Sequence, residues 1–292
     1  MARFINPFTD EGFKRIFGQE FSKPVLIAFL NALLEGEREI VDVTFLDKLK
    51  LRMGQENRSL IYDILCQTDT GDQIIVEMQN TPQTYFKDRS IFYLSRSIVE
   101  QGERGTQWKY SIKACYLIAL LNFKLDDIGR QLRTDVVPMR LQDKTPFTDK
   151  WHIIYLQLPY FTRETVTEED PFIDKLIYVL KNMETLNRMP FAAQDAVFRR
   201  LEEIGEVSAM TKRERRRYDT SLRIYRDTLA VMDYRDEKGR AEGRAEGRKE
   251  GHADVALKMK RRNMPVEDII ALTGLTGEEI AALDAGPAKE SD

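Results

Sequence analysis

The sequence LIYDILCQTDTGDQIIVEMQ, which begins at Leu60, decides the fold class of this chain. Leu60–Cys66 and Gln73–Gln79 are rich in apolar and β-branched residues, which is the composition of strands. Between them, Asp69–Asp72 reads Asp-Thr-Gly-Asp and is typical of a tight turn. We therefore predict a β-hairpin in the first third of the chain.

Two carboxylates lie on the strands of this hairpin. Asp63 is on the first strand and Glu77 on the second, and Gln79 shares the face of Glu77 because side chains alternate along a strand. Two oxygen ligands from neighbouring strands can hold a hard cation such as Mg²⁺, which also binds phosphate oxygens. The pattern indicates a metal-dependent phosphodiesterase site. Acidic residues of half-buried strands also face solvent or form salt bridges, so from the residues alone both interpretations stay open.

Composition sets limits on function and location. A net charge of −3 over 292 residues does not by itself indicate nucleic-acid binding, although a nuclease can concentrate positive charge locally. Cys66 and Cys115 lie in apolar runs, which predicts buried free thiols and a reducing compartment. His152 and His252 are far apart in the sequence, which argues against a histidine-based triad. With no signal-peptide pattern and no apolar run of membrane-spanning length, we predict a cytoplasmic protein.

Strand-like and helical segments interleave up to about residue 160, and helical periodicity dominates afterwards. We predict an α/β (α+β) fold with a mixed sheet flanked by helices over residues 1–165 and a helical extension over 166–235. A glycine-striped charged helix or linker follows over 236–263. A small helix-turn-helix-like module with a disordered end occupies 264–292. Glu278 and Glu279 begin its second helix and would repel phosphate, so we predict that it packs against protein and does not read DNA.

A basic and aromatic stripe follows the hairpin. Thr84–Gln101 is predicted as a helix in which Arg89, Tyr93 and Arg96 fall at i, i+4 and i+7, on one side. This stripe can contact DNA phosphates near the hairpin or form a solvated helix face. Lys212–Arg217 contains a second basic cluster, either a phosphate-binding patch or a solvated helix start.

Glycine recurs every four residues near the end of the chain, at Gly239, Gly243, Gly247 and Gly251. Each glycine weakens an isolated helix by about 1 kcal/mol relative to alanine, but this spacing places all four on one helical face. The segment is either a flexible charged linker or a helix that packs against a partner. We favour the helix and predict a homo-oligomer, a dimer, with contacts through this tail.

Several of these segments together resemble a known family. They are Asn6–Asp10 followed by Phe13 and Lys14, then Ile61–Asp63, Ile75–Gln79, the helix with Arg89 and Tyr93, and the glycine-rich tail. In them the chain resembles the recombination-promoting nuclease (Rpn) and transposase group of the PD-(D/E)XK nuclease superfamily, over nearly its whole length.

The resemblance implies a restriction-endonuclease-like core with the site on the hairpin. Asp63 and Glu77 would hold Mg²⁺, or Mn²⁺ or Ca²⁺, together with the backbone carbonyl of Met78. Asp10 would be an additional acidic residue beside the site, and Gln79 would position the attacking water. Members are associated with DNA cleavage, recombination, mobile elements and phage defence.

The third motif position departs from the wider superfamily, where it is usually lysine. Gln79 can orient a water by hydrogen bonds but supplies no positive charge. The charge would then come from the metal or from Lys14 or Arg89, which together with Tyr93 and Arg96 we predict to hold the DNA backbone. The predicted function is a metal-dependent DNA endonuclease. The alternative is a catalytically silent nuclease-fold module that binds nucleic acid or a protein partner.

Overall fold

A mixed sheet lies at the centre of the protein, in a computed structural model that describes residues 2–46, 62–102 and 109–283. Among these residues the sheet has six strands, in the spatial order β1-β2-β3-β4-β6-β5. The strands are β1 (Val43–Phe45), β2 (Ile64–Thr68), β3 (Gln73–Gln79), β4 (Cys115–Leu121), β5 (Arg133–Val136) and β6 (Trp151–Gln157).

Strand direction changes across the sheet. β1 pairs antiparallel with β2, and β2 pairs antiparallel with β3. β3, β4 and β6 are parallel to one another, and β5 pairs antiparallel with β6 as an outermost strand of the sheet. Because parallel strands end at the same side of a sheet, the last residues of β3, β4 and β6 lie side by side; they are Gln79, Leu121 and Gln157. The candidate site residues of β3 are at this end of the strands.

Helices cover both faces of the sheet, and they are α1 (Asp10–Phe17), α2 (Lys23–Leu33), α3 (Phe86–Val99), α4 (Phe172–Asn182) and α5 (Ala196–Gly205). The remaining helices of the described residues are α6 (Lys212–Arg261), α7 (Val266–Thr273) and α8 (Gly277–Ala282). The predicted mixed sheet with flanking helices is confirmed, and it is consistent with the restriction-endonuclease-like core that the resemblance implies.

Alternation along β4 divides the core into two layers. Tyr116, Ile118 and Leu120 pack with α1, α2, α4 and α5 on one face. Leu117 and Ala119 pack with α3 on the other. Every residue of β4 is buried, as expected for a central parallel strand covered on both sides.

The hairpin is present, but its first strand is shorter than predicted. β2 begins at Ile64, so Asp63 immediately precedes the strand, and the predicted residues Leu60 and Ile61 lie outside the described residues. The backbone N–H of Met78 donates to the Asp63 carboxylate at 2.8 Å. The Asp63 side chain therefore accepts a hydrogen bond that a backbone carbonyl of the first strand would accept if the strands stayed paired. The pairing of β2 with β3 ends at this point.

The glycine-rich tail is helical. α6 runs without interruption from Lys212 to Arg261, through all four glycines. The structure thus gives this segment a helical conformation, and its packing against a partner stays a prediction. The chain divides into two compact units, Met1–Tyr225 and Arg226–Asp292, and the finer predicted domain boundaries stay predictions.

The second unit contains a small apolar cluster. Ala256, Ile269 and Ile280 are buried together. Gly274 has a φ of 69° and ends α7, and Thr276 caps α8 by accepting from the backbone N–H of Glu279. The two short helices of the predicted module are thus present, and its predicted disordered end lies outside the described residues.

In the part of the chain that the structure describes, no helix is both long enough and apolar enough to cross a bilayer.

The start of α1 depends on a glycine. A Cβ at Gly12 would collide with the backbone carbonyl oxygen of Asn6 and lie 2.6 Å from Thr9 Oγ1, the atom that caps the helix. We predict that Gly12→Ala lowers the free energy of unfolding by about 3 kcal/mol, because rigid backbone must move to make room. Urea denaturation measures the loss. The control is Gly277→Ala at the start of α8, where the nearest atom to a built Cβ is Ile270 Cδ1 at 4.0 Å, so the helix should accept the methyl group without loss of stability. A Gly12→Ala protein as stable as the wild type would contradict this account.

Candidate active site

Asp63 and Glu77 are joined at the open end of the hairpin. The backbone N–H of Asp63 donates to Glu77 Oε1 at 3.1 Å, and the backbone N–H of Met78 donates to Asp63 Oδ2 at 2.8 Å. Each carboxylate therefore fixes the backbone next to the other. The structure brings the two predicted metal ligands together, and Glu77 is buried.

The strand alternation directs these side chains toward α3. Ile75 and Leu65 pack in the core layer beneath α3. Glu77 and Gln79 follow Ile75 at two-residue intervals on β3, and Asp63 precedes Leu65 by the same interval, so all three face the same layer. The helix that packs there determines what surrounds them.

Arg89 is the residue of α3 that reaches this site. Its guanidinium donates to Gln79 Oε1 and to Gln83 Oε1, both at 2.8 Å, and its Nη2 atom lies 3.9 Å from Glu77 Oε2. The cation also stacks over the ring of Phe86, at 4.9 Å from the centroid. Gln79, the third motif residue, thus holds the positive charge of Arg89 at its own position.

Both the oxygen and the nitrogen of the Gln79 side-chain amide form hydrogen bonds within the protein. Its oxygen accepts from Arg89, and its nitrogen donates to the backbone carbonyl of Thr81 at 3.1 Å. An arginine can only donate and a carbonyl can only accept, so this orientation of the amide is self-consistent.

The other two residues of the predicted basic and aromatic stripe, Tyr93 and Arg96, make different contacts. Tyr93 packs edge-on against Tyr62, with ring centroids 4.9 Å apart. Burial, followed by the negative charge of Glu77, raises the pKa of the Tyr93 hydroxyl, and Asp63 adds to the effect. Arg96 instead bonds to Glu100 of its own helical turn at 2.7 Å. Tyr93 is therefore close to the carboxylates, and Arg96 makes a local ion pair.

Lys14 and Asp10 approach the site from α1. A cavity of about 250 Å³ has Lys14 and Gly18 on one side and Asp63–Leu65 on the other. Asp10 forms an ion pair with Lys14 one turn away on the same helix. Lys14 thus borders the same cavity as Asp63, and Asp10 is connected to it through Lys14.

The segment before α1 is tied to the end of β3. The Asn6 side chain accepts from the backbone N–H of Phe8 at 2.8 Å, and the Asn80 amide donates to the Phe8 carbonyl at 2.7 Å. Tyr218 of α6 accepts from the buried backbone N–H of Asn6 at 2.7 Å. These contacts fix the start of α1, and with it Lys14, relative to the strand that carries Glu77.

The oxygen donors of this site suit a hard cation. Two carboxylates converge, and the Met78 carbonyl leaves β3 on the same side as the Met78 N–H, toward Asp63, because both groups of a strand residue point to one neighbour. Within residues 2–46, 62–102 and 109–283, no group of three or more His, Cys, Asp or Glu side chains is gathered as a metal cluster. A metal here would complete its coordination with carbonyl, water or phosphate oxygens.

The basic cluster at the start of α6 is partly engaged within the protein. Arg215 bonds to Asp219 at 2.8 Å, and Arg217 lies 3.7 Å from Glu11 of α1. Glu214 bonds to Arg15 at 2.8 Å, and hydrogen bonds from Thr211 and Arg15 lower its pKa to about 2. The start of α6 therefore packs against α1 through ion pairs.

Sequence reasoning missed the partners of Arg89 and Gln79. Gln83 and Thr81 lie in the connection between β3 and α3, where no regular pattern marks them. The only signal was their closeness in sequence to Gln79. Asn80 likewise gave no pattern, although it joins the opening segment to the sheet.

Comparison with known proteins gives one result that bears on this site. Residues 7–235 match a family model described as PD-(D/E)XK nuclease family transposase. The match covers most of the chain and includes α1, the hairpin and α3. Searches of curated proteins and of solved structures gave no significant match.

Proposed function

The chain belongs to the PD-(D/E)XK nuclease family transposases, and on that premise we propose that it is a divalent-metal-dependent DNA endonuclease. The proposed reaction is hydrolysis of phosphodiester bonds, in recombination, mobile-element movement or phage defence. The observation that carries the proposal is the Asp63–Glu77 pair, locked by two backbone hydrogen bonds beside the Arg89 guanidinium.

Asp63, Glu77 and the carbonyl of Met78 would hold the cation, which we propose to be Mg²⁺, with Mn²⁺ or Ca²⁺ as substitutes. All three donors are oxygens, as Mg²⁺ prefers, and two of them are charged. Such a cation polarises a bound phosphate and lowers the pKa of bound water. The hydrogen bonds of the pair keep both carboxylates in place before any ligand arrives.

Arg89 is proposed to supply the charge that lysine supplies elsewhere in the superfamily. Gln79 and Gln83 hold the guanidinium at the site, so it can offset negative charge that develops on the phosphate. Lys14, which borders the same cavity as Asp63, is proposed to bind a phosphate of the DNA backbone, with Tyr93 and Arg96 as further contacts. Asp10 is proposed to position Lys14 through their ion pair.

A catalytically silent module is the competing function. The neutral residue at the third motif position favours it, because a site without its lysine can bind a nucleic acid that it does not cut. The engaged amide of Gln79 is compatible with this alternative, since both of its hydrogen bonds are to protein groups.

Cleavage of supercoiled plasmid distinguishes the two functions. We expect the purified protein to nick or linearise plasmid with Mg²⁺ or Mn²⁺ and to lose this activity in a chelator, with recovery when metal is restored. Calorimetric titration should show cation binding that depends on Asp63. Cleavage that persists in the chelator would contradict the proposed metal dependence. DNA binding without cleavage in any metal would favour the silent module.

We also propose a reducing, cytoplasmic location. Cys66 and Cys115 are both free and buried. Burial raises the pKa of the Cys66 thiol to about 12 and that of Cys115 to about 11, so neither is activated for disulfide exchange. Unpaired, unreactive thiols of this kind fit a compartment that keeps cysteine reduced.

The helical tail is proposed to mediate homo-oligomerisation, as a dimer. Among the described residues nothing lies within 4 Å of a Cβ built at Gly239, Gly243, Gly247 or Gly251, so another backbone can approach closely. An arginine follows each of the first three glycines and a glutamate precedes each of the last three. Two parallel copies would place the arginines of one opposite the glutamates of the other, as at the flanking positions of a parallel coiled coil.

Truncation after Arg235 tests this assembly. When both are measured by light scattering, we expect the full chain to have the mass of a dimer and the truncated chain to have the mass of a monomer. An unchanged number of copies after truncation would contradict a role of the tail.

A further inference from the structure

Two aromatic side chains are exposed on the helix that carries Arg89. Tyr85, at the start of α3, and Phe92 each have 58 % of their surface accessible. They are seven residues apart, so they lie on the same side of the helix, roughly 10 Å from each other along its axis. Exposed rings at helical spacing form a ladder of flat apolar surfaces.

This ladder adjoins the candidate active site. Arg89 lies four residues after Tyr85 and three before Phe92, which are the spacings of neighbours on a helix surface. Arg89 in turn donates to Gln79 at 2.8 Å and lies 3.9 Å from Glu77. Both rings therefore lie within about one helical turn of the arginine that contacts the site.

We propose that Tyr85 and Phe92 stack on unpaired bases, so that the substrate is single-stranded or locally unpaired DNA. This inference rests on the proposed nuclease function and adds the class of substrate to it. Every base has a flat face that stacks on an aromatic ring without sequence readout, whereas in a continuous duplex these faces are covered by the neighbouring base pairs.

The composition of this face favours nucleic acid over a second protein. Arg89 lies between the two rings along the helix and Arg96 lies one turn beyond Phe92, and cations beside stacking surfaces match the phosphates and bases of a single strand. The exposed surface of this helix also includes Asp88, Ile91 and Val99, so it is the two cations beside the rings that favour nucleic acid. In the described part of the chain, neither Tyr85 nor Phe92 stacks on another ring of the protein. The rings are therefore available at the surface.

Binding to three DNAs of one sequence tests the proposal. They are a single strand, a perfect duplex, and a duplex with a central unpaired bubble, each with a fluorescent label for anisotropy. The protein is measured in a chelator and, with Mg²⁺ present, as the Asp63→Asn variant, so that cleavage is limited in both cases. We expect Phe92→Ala and Tyr85→Ala each to weaken binding of the single strand and the bubble about tenfold and to leave duplex binding nearly unchanged.

Matched variants separate stacking from other effects. Tyr85→Phe keeps the ring and should bind as the wild type does. Phe147→Ala removes an exposed ring from the segment before β6, at the end of that strand away from the site, and should have no effect. Circular dichroism verifies that each variant is folded.

The outcomes also separate this inference from the function on which it rests. Equal losses on all three DNAs, or none, would overturn base stacking while plasmid cleavage still supports the nuclease. A fall in mass by light scattering for Phe92→Ala would overturn it in favour of a protein interface. If the wild type cleaves no DNA and binds none of the three, the proposed function itself fails.

Discussion

Asp63→Asn and Glu77→Gln should each reduce plasmid cleavage by about 10³-fold, or about 4 kcal/mol in the activation free energy, while leaving the protein folded. The reason lies in what the amides keep. In Asp63→Asn the amide oxygen can still accept from the Met78 N–H, and in Glu77→Gln the amide oxygen can still accept from the Asp63 N–H. The variants therefore remove negative charge from the site and retain the hydrogen bonds that shape it.

A neighbouring carboxylate of the same hairpin provides the control. Asp69 also accepts a backbone N–H, from Val41 at 3.2 Å, but it lies in the turn at the far end of the two strands. Asp69→Asn should cleave plasmid at the wild-type rate. Melting temperatures and calorimetric titration with Mg²⁺ complete the comparison, since only the two site variants should lose cation binding. Full activity in Asp63→Asn would show that the pair is structural.

The position of these carboxylates was predictable because strand periodicity is simple. A two-residue repeat places Glu77 and Gln79 on one face whatever the rest of the fold, and the turn at Asp69–Asp72 brings Asp63 opposite to them. The mixed sheet followed from the interleaved elements. The family resemblance added chemical roles for these residues, and those roles stay predictions until activity is measured.

The boundaries of elements were less predictable, because side chains compete with backbone pairing. Leu60–Cys66 has a continuous strand composition, yet β2 begins only at Ile64, after the Asp63 carboxylate has taken the Met78 N–H. At the edge of the sheet, β5 ends at Val136, two residues before Pro138, which has no N–H to donate. Both strand boundaries therefore depend on single residues.

The glycine-rich tail shows a similar limit. Local propensity assigns each glycine a cost of about 1 kcal/mol in a helix, but arginine, alanine and glutamate between them are good helix formers. The two effects nearly cancel over this segment, so sequence alone left linker and helix open. In the structure α6 continues through it to Arg261.

The surroundings of Arg89 were the least predictable part of the site. Its contacts with Gln79 and Gln83 depend on how α3 packs over the sheet, which no local pattern encodes. The sequence left Lys14 and Arg89 as alternatives for the missing lysine. The structure puts the Arg89 guanidinium on the third motif residue itself, whereas Lys14 pairs with Asp10 across one turn of α1.

Arg89→Met should lower kcat for plasmid cleavage by about 10²-fold, because it removes a cation that lies 3.9 Å from Glu77 and keeps an apolar stem against Phe86. Arg89→Lys keeps the charge but cannot bond to Gln79 and Gln83 with a planar fork, so an intermediate loss is expected. Lys87→Met is the control. Lys87 is on the same helix, paired with Asp127 and directed away from the site, and its removal should not affect cleavage.

Metal binding and chemical rescue decide whether Arg89 acts on the phosphate or only supports the site. If it stabilises charge in the transition state, Arg89→Met should bind Mg²⁺ with wild-type affinity and lose rate, and added guanidinium ion should restore part of the rate to Arg89→Ala. A loss of Mg²⁺ binding would instead mean that Arg89 holds Glu77 in place, across the 3.9 Å between them. Wild-type kcat in Arg89→Met would exclude Arg89 and leave Lys14, on the other side of the Asp63 cavity, as the cation that replaces the motif lysine.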